Sequence, residues 1–506
     1  MKHLATDEIR IRRGLLIFFL VVVSIGLAHF GLSRGMPLVG LAIPGVFLVC
    51  QLFSQPARLF LLILFLNTIQ LKLPGLPKTL SLLVLTQVLM IGWSVLDAAI
   101  KHQKKRFSFR PGVDMWIAVF LINVFLLMAA RGAGFARLGG SVFGGAKYAM
   151  LIVAILFYFA AVRVRLSDKD VKTLLLLVFA GALTYAVMEM LVYYFAGTFG
   201  RLSQFVSFAF NERTTARAVT KGLGEVRWHS YRGLAFALLP LAYVWCRQKS
   251  RRFWMVFAAG VLVALSGFRS LLVQMGLMIF MLEVYYSRSR VRTVVVWMLI
   301  GIAGLGFLMV ATPYLPLTIQ RAVSFIPFLS VDESMIQVAE SSSNWRFDLW
   351  QNYCIPNVSK FLLIGRGLSH DITGFAWLSR KWYGSAEFFY HMGSYHSGPF
   401  DLLLTYGLLG TISFTMFFGM TVADGWRTVR RYGTRMDSLA AKYYAFLTVW
   451  MTYELVAFFL IFGDVKSQLF LFLAIAAQMR ILKKNFLMDV SPEATDVGDQ
   501  IVGIRK

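Results

Sequence analysis

The sequence predicts an all-α polytopic membrane protein with about 12–14 transmembrane helices and one large extramembrane loop. Three observations carry this. Of 506 residues, 58% are hydrophobic and only 15% are charged. Many apolar runs exceed 17 residues, long enough to cross a hydrocarbon core of about 30 Å as a helix. These runs are apolar all round rather than striped, so they suit lipid better than one face of a soluble core.

In order, the expected spans are 14–32, 36–53, 57–71, 80–100, 113–130, 147–162, 173–196, 230–246, 253–268, 270–286, 293–311, 399–422, 443–462 and 467–481. Lys2, Arg10, Arg12 and Arg13 precede the first. No small-x-small cleavage site follows, so it is expected to remain as a helix rather than be removed as a signal peptide. Pro44 and Gly45 interrupt the second span and the third is short. Merging a pair gives twelve spans with the same sidedness. The organisation is then a membrane region over 1–311 (about eleven spans), a large loop over 312–398, about three spans within 399–484, and a polar tail, 485–506, expected to be disordered.

The formal net charge of +26 would suggest nucleic acid in a soluble protein. Here the Lys and Arg residues gather in alternate connections. Lys101 to Arg110, Arg163 to Lys172, Arg247 to Arg252, Arg288 to Arg292, Arg427 to Lys442 and Arg480 to Lys484 fall on one side, and the short loops near Arg34, Lys72 and Lys466 hold few. That is a positive-inside pattern with both termini inside, and no nucleic-acid partner is expected. Cys50, Cys246 and Cys354 are widely spaced, with no disulfide framework or zinc spacing.

Two outer segments depart from the charge pattern. Residues 197–229 hold Arg201, Arg213, Arg217, Lys221 and Arg227 against Glu212 and Glu225, and could steer an anionic lipid-linked substrate or simply be solvated. Residues 312–398 are too long for a connector. Within them, Ser341 to Asn344 is expected to cap a helix running through Trp345, Leu349, Trp350 and Tyr353, which Pro356 ends. Ile364-Gly-Arg-Gly367 reads as a tight turn, and 374–392 is rich in aromatic residues.

The loop closes on Tyr395-His396-Ser397. Nine residues follow, and then Gly407-Leu-Leu-Gly410. Read as a helix from Pro399 to Val422, this run places His396 at a membrane–water boundary, with Gly407 and Gly410 on one helix face. An imidazole of ordinary pKa near 6.5 can take a proton from a hydroxyl. The alternative is an interfacial histidine satisfied by backbone, and the two glycines would also serve helix packing. His391 and His396 lack a paired carboxylate or cysteine, so no metal or cofactor is expected.

Arg232, in Trp228-His-Ser-Tyr-Arg-Gly, and Arg269, in Ser266-Gly-Phe-Arg-Ser, stand at the outer ends of spans. Arginine there is unfavourable unless it pairs or faces a wet cavity. A guanidinium binds phosphate in two-pronged fashion and stays charged, so the pair would suit a pyrophosphate; snorkelling to lipid headgroups is the alternative. Glu189, Glu283 and Glu454 lie in or near spans as packing contacts or proton-relay groups.

The stretch His396-Ser397, nine residues, Gly-Leu-Leu-Gly410 resembles the signature of the bacterial O-antigen ligase family and its polymerase relatives. Their pattern is His, then Asn, Ser or Gln, nine residues and Gly-x-x-Gly at the end of a large periplasmic loop. Ser-Gly-Phe-Arg269-Ser is similar to an arginine motif of that family. Trp345-Arg346 with Gly365-Arg366-Gly367 resembles its loop motifs. The resemblance implies a GT-C-like architecture and a glycosyltransferase in the bacterial inner membrane, active on the periplasmic face. The donor would be a glycan on undecaprenyl diphosphate. The acceptor would be a sugar hydroxyl, on lipid A–core for a ligase or on a second lipid-linked glycan (a polysaccharide acceptor) for a polymerase, amid membrane lipids.

In that reading His396 is the general base, Arg269 and Arg232 hold the pyrophosphate, Arg346 either contacts substrate or orients the loop, and Arg217 helps bind substrate. Ser397, Gly407, Gly410, Gly365 and Gly367 form the structural motif. No metal is required. The chain departs from the commonly drawn ligase in having fourteen expected spans rather than twelve, and His-Ser rather than His-Asn. Competing readings are a polysaccharide or lipid-precursor transporter, which predicts broken helices and charges near the midplane, and a non-catalytic scaffold in which His396 is replaceable.

Overall fold

The computed structural model describes residues 55–69, 71, 81–100, 109–134, 142–200, 206, 228–287, 289–371, 385–432 and 438–490. The expected spans at 14–32 and 36–53, and Arg217 with its basic neighbours, lie outside the described residues. The protein is an all-α polytopic membrane protein. The β-structure described is a bridge of two residues on each side, Val142 and Phe143 against His370 and Asp371, plus a single Leu71–Val206 pair.

The principal helices are α1 (Pro56–Ile69), α2 (Leu82–Ile100), α3 (Asp114–Arg131), α4 (Gly145–Ala161), α5 (Asp168–Tyr194), α6 (His229–Pro240), α7 (Lys249–Leu265), α8 (Arg269–Tyr286) and α9 (Arg290–Ala311). Then come α10 (Glu333–Asp348), α11 (Ile355–Phe361), α12 (Ala386–Met392), α13 (Gly407–Tyr432), α14 (Leu439–Leu460) and α15 (Val465–Val490). Among the described residues, 7 helical stretches are long and apolar enough to cross a membrane: those of α2, α3, α5, α9, α13, α14 and α15. The α1 and α4 helices are apolar but shorter, at 14 and 17 residues. At 1.5 Å per residue α1 rises about 21 Å, less than the hydrocarbon core.

Burial sorts the bundle from inside to outside. In α14 and α15, 67% and 72% of the spanning windows are buried. They pack on each other, with α13, α8 and α5 against α14 and α4 against α15. The α9 window has a mean hydropathy of 2.5 and none of it is buried, as expected of a helix whose surroundings are lipid.

The end of the bundle rich in Lys and Arg is tied by ion pairs. Asp114 on α3 takes the Arg480 guanidinium of α15, and Tyr158 on α4 donates to the same carboxylate at 2.9 Å. Asp424 on α13 accepts from Arg110 at 3.1 Å and from Lys483 at 2.6 Å. Asp168, in the first turn of α5, accepts the Ala440 N–H of α14 at 2.9 Å. A charge at this depth persists because it is paired.

Two local expectations are corrected. The helix through Trp345 begins at Glu333, capped by Asp332 rather than by the serines, because the Asp332 carboxylate accepts the Ser334 N–H at 2.9 Å. Nor does Pro356 end it. A π-helical turn, Leu349–Cys354, follows α10, and α11 begins with Ile355 and Pro356. Proline is tolerated in the first turn of a helical segment, where its missing N–H breaks no bond of that segment.

Candidate active site around His396

The apolar run after His396 is not one straight helix. A short turn, Gly398–Phe400, leads into a π-helical turn, Asp401–Tyr406, and α13 starts at Gly407. Gly407 has φ 69° and ψ −173°, a conformation essentially confined to glycine. Apolar composition does not encode that break. It is stabilised from across the chain: Arg366 N–H donates to Leu404 O at 2.7 Å, Gly367 N–H to Thr405 O at 2.9 Å, and Leu408 N–H to Leu362 O at 2.6 Å. Asn123 of α3 donates to Tyr406 O at 3.0 Å.

The glycines allow this approach. A Cβ on Gly365 would lie 2.7 Å from the Gly407 nitrogen, and one on Gly410 would lie 2.7 Å from the Asn123 amide nitrogen. Gly367 has φ 77°, and its Cβ would strike the Tyr148 hydroxyl at 2.6 Å. Gly365, Gly367, Gly407 and Gly410 thus form one backbone crossing beneath the histidine loop.

Arg366 holds that loop from the same crossing. It donates to Tyr390 O at 2.7 Å and His391 O at 3.1 Å, and its guanidinium lies over the Tyr390 ring at 5.1 Å. Lys466 donates to Gly393 O, and Trp350 Nε1 donates to Tyr395 O at 2.8 Å. Ser397 O accepts the Asp401 N–H at 2.9 Å, starting the turn. The Asp401 carboxylate is buried; it accepts Thr405 Oγ1 at 3.1 Å and the Val465 N–H at 2.7 Å, which ties the start of α15 to the same turn.

His396 therefore sits in a loop fixed on both sides. Its φ is 54°, in the left-handed region that non-glycine residues rarely occupy. Its ring is walled by Trp345 at 5.0 Å, Phe389 at 5.7 Å and Phe462 at 5.3 Å. Nε2 lies 3.3 Å from Ser394 Oγ. Nδ1 is buried and has no hydrogen-bond partner among the described residues. Burial, then the charge of Arg346, pull the imidazole down to about 4; Asp464 opposes and Lys466 adds to the fall. The ring is neutral at pH 7.

Helix α10 links His396 to Arg269. Arg269 opens α8 and its Nη2 reaches Ser343 Oγ at 3.4 Å. Trp345 and Arg346 follow within one turn and face His396, the guanidinium also lying over the Trp345 ring at 5.6 Å. Arg232 meets a different set of groups. It lies on α6 and its charge acts on Glu454 and Tyr453 of α14. Glu454 lies six residues before the end of α14 at Leu460. Among the described residues no three His, Cys, Asp or Glu side chains gather as a metal site.

Residues 254–415 match the family model described as O-antigen ligase. The chain is O-antigen ligase-like over this segment. No curated protein matches the chain. The O-antigen ligase-like segment runs from α7 into α13 and contains Arg269, Arg346, the glycine crossing and His396; Arg232 and Arg217 precede it.

Sequence reasoning missed three residues of this site. Asp401 was visible as a lone carboxylate inside an apolar run, a placement that calls for a named partner. Arg366, read only as part of the Gly365-Arg366-Gly367 turn, and Lys466 gave no sign of this holding role, because their partners are backbone carbonyls distant in sequence.

Proposed function

We propose that the protein transfers a glycan from undecaprenyl diphosphate to a sugar hydroxyl on the outer face of the inner membrane. The observation that carries this reading is His396: a neutral, half-buried imidazole whose Nδ1 has no hydrogen-bond partner among the described residues, caged by aromatic rings beside Arg346 and one helix from Arg269. The acceptor oxygen bonds to the anomeric carbon as the bond from that carbon to the diphosphate oxygen breaks. The acceptor proton passes to His396. The leaving diphosphate is stabilised by Arg346 and Arg269, fixed charges that need little reorganisation as negative charge develops.

A base lowered to about 4 is weak. A bound diphosphate offsets the Arg346 charge and raises the imidazole, so the base strengthens when the donor is present. Trp345, Phe389 and Phe462 offer apolar faces to sugar rings and keep water from the reacting centre. A lipid A–core acceptor makes the enzyme a ligase, and a second lipid-linked glycan makes it a polymerase.

The test is glycan transfer in vesicles holding the purified protein, lipid-diphosphate-linked glycan and each acceptor in turn, with EDTA present. Transfer by wild type and its loss in His396→Ala and Arg269→Ala supports the reading. Wild-type rates in both variants overturn it, and glycan crossing the membrane without transfer replaces it with transport.

A further inference from the structure

At the end of the bundle away from His396, α8, α13 and α14 diverge around a cavity of about 670 Å³. Its chemistry is divided. Phe280, Val284 and Trp426 form an apolar wall, and Arg290, Arg430 and Lys442 stand at the rim. No lining residue is acidic. The neighbouring cluster of Arg110, Arg480 and Lys483 is matched by Asp114 and Asp424. By contrast, none of the three rim cations forms an ion pair with a described residue. The Tyr286 hydroxyl, also at this cavity, is buried without a hydrogen-bond partner among the described residues. A buried hydroxyl left so is unfavourable, and an oxygen of a bound ligand would satisfy it.

We infer that this cavity binds one anionic glycerophospholipid, its phosphate on Arg290, Arg430 and Lys442 and its acyl chains along Phe280, Val284 and Trp426. The volume suits a small-ligand site and exceeds what a free phosphate needs. The apolar wall has no purpose for an inorganic ion, and the cationic rim has none for a neutral lipid. Trp426 is held as a wall by donating Nε1 to Thr452 at 2.9 Å and meeting Tyr285 edge-on at 5.8 Å. Aromatic residues at such a depth mark the headgroup level of a bilayer, and basic pockets between helices there recognise anionic heads. The lipid would brace α8, the helix that carries Arg269 at its other end. The site stands apart from the proposed chemistry and does not rest on it.

The experiment is thermal unfolding of the delipidated full chain in detergent, titrated with phosphatidylglycerol, phosphatidylcholine of the same chains, or inorganic phosphate, with bound lipid counted by native mass spectrometry. Phosphatidylglycerol should raise the midpoint by several degrees through binding linkage. Phosphatidylcholine should give less than half that shift, and phosphate none. The triple variant R290Q/R430Q/K442Q should weaken the apparent affinity about tenfold, and R290K/R430K should retain it. Val284→Trp, which fills the groove and leaves the charges alone, should lose the bound lipid. Equal shifts with both lipids, the full shift with phosphate alone, or undiminished binding in the triple variant or in Val284→Trp would each overturn the inference.

Discussion

Gly365 and Gly407 meet backbone to backbone: a Cβ on either would lie 2.7 Å from the other's nitrogen. Through this contact the loop segment after α11 pins the break between the π-turn and α13, and the histidine loop is built on that break. Gly407→Ala adds the strain of a positive φ to this overlap. Each effect is on the order of 1–3 kcal/mol, so we expect Gly407→Ala and Gly365→Ala each to lower the unfolding midpoint by several degrees and to reduce transfer. Gly419, on the same α13 with open space around its Cα, is the control, and Gly419→Ala should melt with wild type.

The lowered His396 imidazole gives a pH dependence of definite sign. Its folded value, about 4, lies below the ordinary 6.5. The unfolded chain therefore binds a proton first as pH falls, and this stability is fully present above 6.5 and lost as pH drops toward 4. The slope is up to about 1.4 kcal/mol per pH unit in that window. Unfolding midpoints of wild type and His396→Gln, compared from pH 8 to 4, should converge in the acid range. Parallel curves would show that the fold does not hold His396 as a neutral ring.

The same imidazole separates two kinetic profiles. The acid limb of kcat/KM reports the free enzyme and that of kcat the donor complex. With a diphosphate raising the imidazole, the kcat limb should lie at higher pH than the kcat/KM limb. Arg346→Gln removes a cation that lowers His396, so it should shift the kcat/KM limb upward and cut transfer about a hundredfold. Arg346→Lys should restore much of the limb position and less of the rate. An unmoved limb in Arg346→Gln would place the guanidinium outside the reach of the ring.

The spans were legible because lipid imposes one rule on a whole segment. Every face must be apolar, so composition alone located α2, α3, α5, α9 and α14 to within a few residues, and the start of α15. The interior of the 399–422 run was not legible. Its break depends on the φ of Gly407 and on hydrogen bonds from residues 362–367, about forty positions earlier. Composition carries no record of either. Arg269 could be singled out as a charge near a boundary and Arg346 only through its motif resemblance, but their connection through Ser343 on α10 depends on a helix start, Asp332, that sequence reasoning placed at the serines. The walls of the cage come from α10, α12 and the connection after α14, and no spacing within one segment brings them together.

Asp401 ties two segments by one carboxylate, so its removal should separate stability from chemistry. Its oxygens accept the Val465 N–H and Thr405 Oγ1. Asp401→Ala leaves that buried N–H unsatisfied, which destabilises by about 1–3 kcal/mol. Asp401→Asn keeps an acceptor oxygen for one of the two donors and should recover much of the midpoint. If both variants melt alike, the carboxylate is not the tie between the turn and α15.

The deepest ion pair, Asp114 with Arg480, tests whether the opposite end of the bundle is organised by charge or only tolerates it. Both side chains are buried, and Tyr158 completes the cluster. Removing one partner strands the other, so Asp114→Ala and Arg480→Ala should each destabilise by about 3–5 kcal/mol. Replacing both with apolar residues, Asp114→Leu with Arg480→Met, removes the stranded charge and should restore most of the midpoint, because desolvation of the pair opposed its attraction. The double variant read beside the two singles gives the coupling directly. A double variant as unstable as the sum of its singles would mean that the pair holds α3 against α15 in a way apolar packing cannot replace. Recovery would assign the pair to positioning those helices, with little net contribution to stability.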